Sequence, residues 1–245
     1  MTGFIFNLSL RQLLFRRSTL VLALVCLLPI VVAVVFRLDN PNVNVERWTA
    51  RVLFLGLAVT TVMPLTALLL GTTAIGDEIE DGTVVYLLTK PIERWQILLP
   101  KLLASWLLTA LLVVPATVIA CVIALQGSGS TDFLFGVGAA LVLGALAYVA
   151  VFVFLSVATS RALITGLVYV FVWEGAVTGI FRGTRYLSIR HYMLSIASWI
   201  AGTPSNIFSA YVGGETALIM CVIAIIAAAL LANRLLRRLE VRESS

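Results

Sequence analysis

Six stretches of this chain are long and apolar enough to cross a lipid bilayer, and that leaves almost no choice of fold. They lie near Ser18–Phe36, Val52–Ile75, Leu102–Leu125, Phe133–Thr159, Ala162–Phe181 and Thr216–Asn233. A hydrocarbon core about 30 Å thick takes roughly 20 apolar residues per helix. Lipid offers no partner to a main-chain N–H or C=O, so each stretch must satisfy its own groups as a helix. The expectation is an all-α integral membrane protein, a single domain over 1–245 with six transmembrane helices. Composition agrees, since only 12% of residues are charged where a soluble domain carries about 25%. The net charge of +5 reads as a topology signal. No dense basic run or soluble domain is present to take a nucleic acid, so membrane lipids are the expected surroundings and nucleic acid is not an expected partner.

Orientation follows from the flanks of the spans. With the N-terminus inside, eleven of the seventeen Lys and Arg fall on the cytoplasmic side, and Arg234, Arg237 and Arg238 close the last span there. Arg37, Arg47, Arg51, Arg182, Arg185 and Arg190 fall outside. Both termini are then cytoplasmic. The first apolar run is longer than a typical signal core and lacks a clear small-residue cleavage site, so it reads as a span. Phe4, Leu8, Arg11 and Phe15 recur near helical spacing, which predicts an interfacial helix within residues 1–17 on the cytoplasmic surface.

Pro29, Pro64 and Pro115 sit within three successive spans and can kink them. Gly136, Gly138, Ala140 and Gly144 in the fourth span, and Ala224, Ala228 and Ala232 in the sixth, predict close helix contacts. Cys26, Cys121 and Cys221 fall in apolar runs without metal or disulfide spacing and read as small buried hydrophobes. The outer segment 182–215 is long for a turn. Its Tyr186–Ile200 stretch is rich in Tyr, Leu, Ile and Trp, which predicts a helix at the outer interface or one re-entering the membrane.

One polar segment, 76–101 between the second and third spans, is far more organised than a turn requires. It holds Asp77, Glu78, Glu80, Asp81 and Glu93 with Lys90, Arg94 and Lys101. Gly82 suits a helix C-terminus, because it takes positive φ without a Cβ penalty. Thr83 is a plausible N-cap. Val84, Leu87 and Leu88 then form one apolar stripe, Pro91 ends it, and Arg94 and Trp95 lie where interfacial anchors belong. The predicted picture is a short amphipathic helix on the cytoplasmic surface.

Glu80, Gly82, Thr83, Leu87, Leu88, Pro91, Arg94 and Lys101 together resemble the cytoplasmic loop of the type-2 ABC exporter permeases. There an acid, a Gly-Thr pair, paired leucines, a proline, an arginine and a lysine recur in this order. The six-span layout and chain length resemble that family too. The resemblance implies a coupling helix that docks on a separate cytoplasmic ABC ATPase, present in two copies. The docking residues would be Glu78, Glu80, Gly82, Thr83, Val84, Leu87, Leu88, Pro91 and Arg94. It also implies a second permease half, identical or homologous, and a place in the plasma membrane of a bacterium or archaeon.

No stretch of the chain fits the phosphate-binding G-x-x-x-x-G-K-[ST] loop. The chain is therefore expected to be no enzyme itself and to hold no cofactor. ATP and Mg would be bound by the partner ATPase. The leading expectation is an ATP-driven exporter subunit working by alternating access. The alternative is a secondary transporter or channel without an ATPase partner, which the coupling-like segment disfavours.

Glu174 is the one ionisable residue well inside a span, about 18 Å above Arg161 at 1.5 Å per residue. A carboxylate at that depth must face a cavity, the bundle interior or a partner. Two roles stay open for it. With Trp173 and Thr178 it would line the translocation pathway or a gate. Otherwise it makes a structural hydrogen bond, for instance to Thr178, or an ion pair with Arg182 or Arg185. His191, the only histidine, is expected in the outer loop, and pairing it with Ser128 for hydrolysis is disfavoured.

Overall fold

Helix formation follows the apolar runs closely. The computed structural model describes residues 2–39, 44–80, 94–126, 131–203, 205–208 and 210–243. Among them, six helices are long and apolar enough to cross a membrane: Arg17–Asp39, Val45–Gly76, Trp95–Leu125, Thr131–Ala158, Ala162–Ile180 and Gly214–Arg237. Both termini therefore lie at one end of the bundle. An N-terminal helix, Thr2–Leu14, precedes the first span and packs on the third. It buries Ser9 and Leu13 and leaves Phe15 exposed.

The prolines act differently from one another. The first span breaks at Leu27, between helices Arg17–Cys26 and Leu28–Asp39. Pro29 then sits in the first turn of the new helix, where its missing N–H has no partner to lose. The third span runs unbroken through Pro100 and Pro115. The second span changes register instead. After the turn Val45–Trp48, capped by the Asn44 side chain on the Arg47 N–H at 2.9 Å, residues Thr49–Val62 form a π-helix. The α-helix Met63–Glu80 follows, with Pro64 at its second position. The Thr60 and Thr61 hydroxyls fit the wider turn, since each donates to the carbonyl five residues back, Leu55 at 2.6 Å and Gly56 at 3.2 Å. The fifth span carries a second π segment, Tyr169–Val177, between Ala162–Val168 and Thr178–Ile180. Such segments are rare and concentrate at functional sites.

The fourth span is the hub. It packs against the second, third, fifth and sixth spans, and small residues permit the close approaches. A Cβ built on Gly71 would stand 3.0 Å from the Phe152 Cβ, and one on Gly166 would meet Leu68 and Phe152. Polar side chains tie the third span to its neighbours. Arg37 Nε donates to the Ile123 carbonyl at 3.1 Å, and Trp106 Nε1 to that of Val142 at 3.0 Å. Toward the terminal end, Lys101 Nζ donates to the Ala74 carbonyl at 3.0 Å and Ser105 Oγ to that of Leu70 at 3.2 Å.

The segment after the fifth span is not a surface loop. A 3₁₀ helix, Arg182–Leu187, leads to the helix Ile189–Ile200, which lies against the fourth and sixth spans with most of its residues buried. Met193 sits on Gly144, while Ala197 and Ala201 sit on Gly136. This helix therefore runs antiparallel to the fourth span along the half that begins at Thr131. It starts inside the bundle and returns to the end it came from. Of the two placements open to the sequence, interfacial and re-entrant, the second is the observed one. His191 is accordingly on a helix and buried, not in an outer loop.

Candidate functional site

The re-entrant helix begins among buried residues, Ser188 and Ile189, and its first N–H groups need acceptors there. Ser188 is the N-cap, its Oγ accepting from the His191 N–H at 3.3 Å. Glu174, only 3% exposed, supplies the rest. Its carboxylate accepts from Ser188 Oγ at 2.5 Å, from the Ile189 N–H at 2.9 Å and from Tyr169 Oη at 3.2 Å. A negative charge at a helix N-terminus is further favoured by the helix dipole. The cost of burying a carboxylate is thus offset by donors on three sides.

The π register explains one of these donors. In an α-helix, residues five apart are about 140° apart around the axis, so Tyr169 and Glu174 would face different ways. The wider turn, closed by i to i+5 bonds, brings both to one face.

Neighbouring bonds extend the clasp. Trp173 Nε1 donates to the Leu187 carbonyl at 3.3 Å. Thr184 Oγ1 donates to the carbonyls of Val177 and Phe181 at 3.2 and 2.8 Å. Arg185 Nε reaches the Thr178 carbonyl at 3.4 Å. The Thr178 hydroxyl bonds the Glu174 main-chain carbonyl at 2.7 Å, not the carboxylate. Arg185 places its guanidinium over the Tyr211 ring, 4.0 Å from the centroid. Glu174 therefore has the structural hydrogen bonds that the sequence left open, but from Tyr169, Ser188 and the Ile189 main-chain amide. Sequence reasoning named none of these donors. Ser188, standing just ahead of an apolar run, carried the one usable signal, that of an N-cap.

Glu174 also borders a cavity of about 110 Å³ where the second, fourth and fifth spans meet the start of the re-entrant helix. Val59, Tyr148 and Val170 line its buried part with Glu174, and the exposed Thr61, Phe171 and Gly175 stand at its rim. Both π segments contribute to it. Trp173 and Thr178, expected beside Glu174, are held in the clasp rather than on the cavity wall.

The second expected site is only partly described. The helix Met63–Glu80 carries Glu78 and Glu80 in its last turn. Gly82, Thr83, Val84, Leu87, Leu88 and Pro91 lie outside the described residues. Arg94 is buried just before the third span. The helices on either side are joined by the Lys101 and Ser105 bonds. Lys101→Met keeps the apolar stem and removes the charged donor. It is expected to cost about 1.5–3 kcal/mol, the worth of a hydrogen bond to a charged group, read as a lower unfolding midpoint in detergent. Lys101→Arg should recover part of it.

A family model described as ABC-2 family transporter protein matches residues 10–238. A search of the curated proteins finds no match.

Proposed function

Since the chain belongs to the ABC-2 transporter family and is a multi-pass membrane permease, we propose that it is the transmembrane subunit of an ATP-driven exporter. The family match over nearly the whole chain carries this reading. Two copies of a cytoplasmic ABC ATPase hold ATP and Mg and supply the work. A second permease half, identical or homologous, completes the path, and both termini lie on the cytoplasmic side of the cell membrane. Segment 76–101 is the coupling element. Its Val84, Leu87 and Leu88 stripe enters a groove of the ATPase while Glu78, Glu80 and Arg94 fix the register, since charges around an apolar contact set specificity. Movement there reaches the second and third spans together, because Lys101 and Ser105 join them. The π segment of the second span leads from that pair to the cavity beside Glu174. Alternating access then opens and closes this cavity.

Purification of the chain in mild detergent with its native companions tests the reading. A soluble P-loop ATPase should co-purify and hydrolyse ATP faster with the permease than alone. Absence of any such ATPase would leave a secondary transporter or channel. Within the complex, Leu87→Asp is expected to lower permease-stimulated ATPase at least tenfold while the spans still insert. Wild-type stimulation in that variant would remove residues 83–89 from the interface.

A further inference from the structure

The cavity beside Glu174 holds donors without acceptors. Tyr148 lines it, is 0% exposed, and its hydroxyl has no hydrogen-bond partner. Arg190 also lines it, and its Nε is buried without a partner. The nearest anion does not answer them. The Glu174 carboxylate accepts instead from Ser188, Tyr169 and the Ile189 N–H, and neither the Tyr148 hydroxyl nor Arg190 Nε bonds to it. Thr60 and Thr61, also on the wall, donate within their own helix and keep only acceptor capacity toward the cavity. A buried guanidinium N–H left without an acceptor, like an unpaired buried hydroxyl, costs on the order of a hydrogen bond.

We propose that this cavity binds the oxyanion head group of an amphipathic molecule, with Arg190 and Tyr148 as its donors. This names the cargo class and rests on the reading of the chain as a permease. The space fits: a water occupies about 30 Å³ in the liquid, so the cavity holds a few waters or one small oxyanion. Its rim fits as well. Phe171, 65% exposed, stands at the mouth, with the exposed Val168 and Val172 on the same span, where an alkyl tail would leave the head group. Arg190 stands on the same wall as Glu174 and sets a positive charge against that of the carboxylate.

The chain in nanodiscs of neutral lipid is titrated with decyl phosphate, inorganic phosphate and decyltrimethylammonium. Decyl phosphate should bind saturably, and at least tenfold more tightly than either other probe. Arg190→Gln should weaken it at least tenfold, Arg190→Lys less, and Tyr148→Phe several-fold. Equal binding of the cationic probe, or wild-type binding in both Arg190→Gln and Tyr148→Phe, overturns the assignment. Equal binding of inorganic phosphate overturns the amphipathic part and leaves a free oxyanion as the ligand. The Tyr148→Phe variant keeps the ring stacked on Phe152, and the Arg190 side chain takes no part in holding the clasp, so both variants should fold. Binding is read without any ATPase, so it stands or falls separately from the motor. Stimulation of the complex's ATPase by decyl phosphate would then mark the ligand as cargo.

Discussion

Glu174→Ala is expected to loosen the re-entrant helix from the bundle. The substitution strands Ser188 Oγ, Tyr169 Oη and the Ile189 N–H, and Ser188 and Ile189 are almost fully buried. Each orphaned buried donor costs about 1–3 kcal/mol, and the losses are coupled, so a total on the order of 4 kcal/mol is expected. For a chain of this size about 1 kcal/mol moves the midpoint by 2–4 °C, which makes a fall of roughly 10 °C. Glu174→Gln keeps one acceptor oxygen but turns an amide N–H₂ toward other donors, and should fall about halfway. Ser195→Cys gives a second readout, because Ser195 is buried on the re-entrant helix. In the otherwise wild-type chain this thiol should resist a water-soluble maleimide, and Glu174→Ala should expose it. The native cysteines are all buried and supply the baseline. An unchanged midpoint together with an unlabelled thiol would show that the clasp does not hold the helix. Transport lost in a Glu174→Gln variant with a protected thiol would instead point to a role at the cavity.

The second large effect is expected at Gly136, and it separates three glycines of one helix. A Cβ at Gly136 would stand 2.6 Å from the Ala197 carbonyl oxygen and 3.0 Å from the Ala201 nitrogen. Both are main-chain atoms of the re-entrant segment, which cannot yield by a rotamer change. Gly136→Ala therefore forces the two helices apart, and overpacking of this kind costs about 1–3 kcal/mol. At Gly144 the obstacle is the Met193 side chain, which is flexible and can repack. At Gly138 the nearest atom is Val118 Cγ2 at 3.9 Å, an ordinary contact, so the better helix propensity of alanine, about 1 kcal/mol, should prevail. The expected order of unfolding midpoints is Gly138→Ala highest, Gly144→Ala near wild type and Gly136→Ala lowest. Equal midpoints for Gly136→Ala and Gly138→Ala would refute the close approach of the two helices.

Much of the architecture was legible in the residues. A run of apolar side chains at bilayer length has one solution in lipid, so the six spans fall within a few residues of their predicted limits, except that the second and third begin seven residues earlier, at Val45 and Trp95. The turn between the fourth and fifth spans needed only Thr159–Arg161. Small residues at Gly136, Ala140 and Gly144 marked a packing face. The eight-residue set from Glu80 to Lys101, with its paired leucines, pointed to the ABC-2 family, to which the chain belongs.

Other features were not legible, for a common reason. The Tyr169–Glu174 pair depends on a π register, and i to i+5 spacing leaves no hydrophobic pattern that differs clearly from 3.6 over nine residues. The partners of Glu174 stand fourteen and fifteen residues away, at Ser188 and Ile189. The unmet donors of Tyr148 and Arg190 share a cavity only because the chain folds back after Phe181.

The sequence by itself determined a six-span helical membrane protein, because apolar runs of this length close their backbone hydrogen bonds in lipid as helices, while the permease reading came from the resemblance of the Glu80–Lys101 set to the ABC-2 family. It also determined that one intramembrane carboxylate would need donors. Only the tertiary structure decided which donors those are. A helix N-terminus is an acceptor-hungry point wherever it lies, and the re-entrant fold is what brings this one to Glu174.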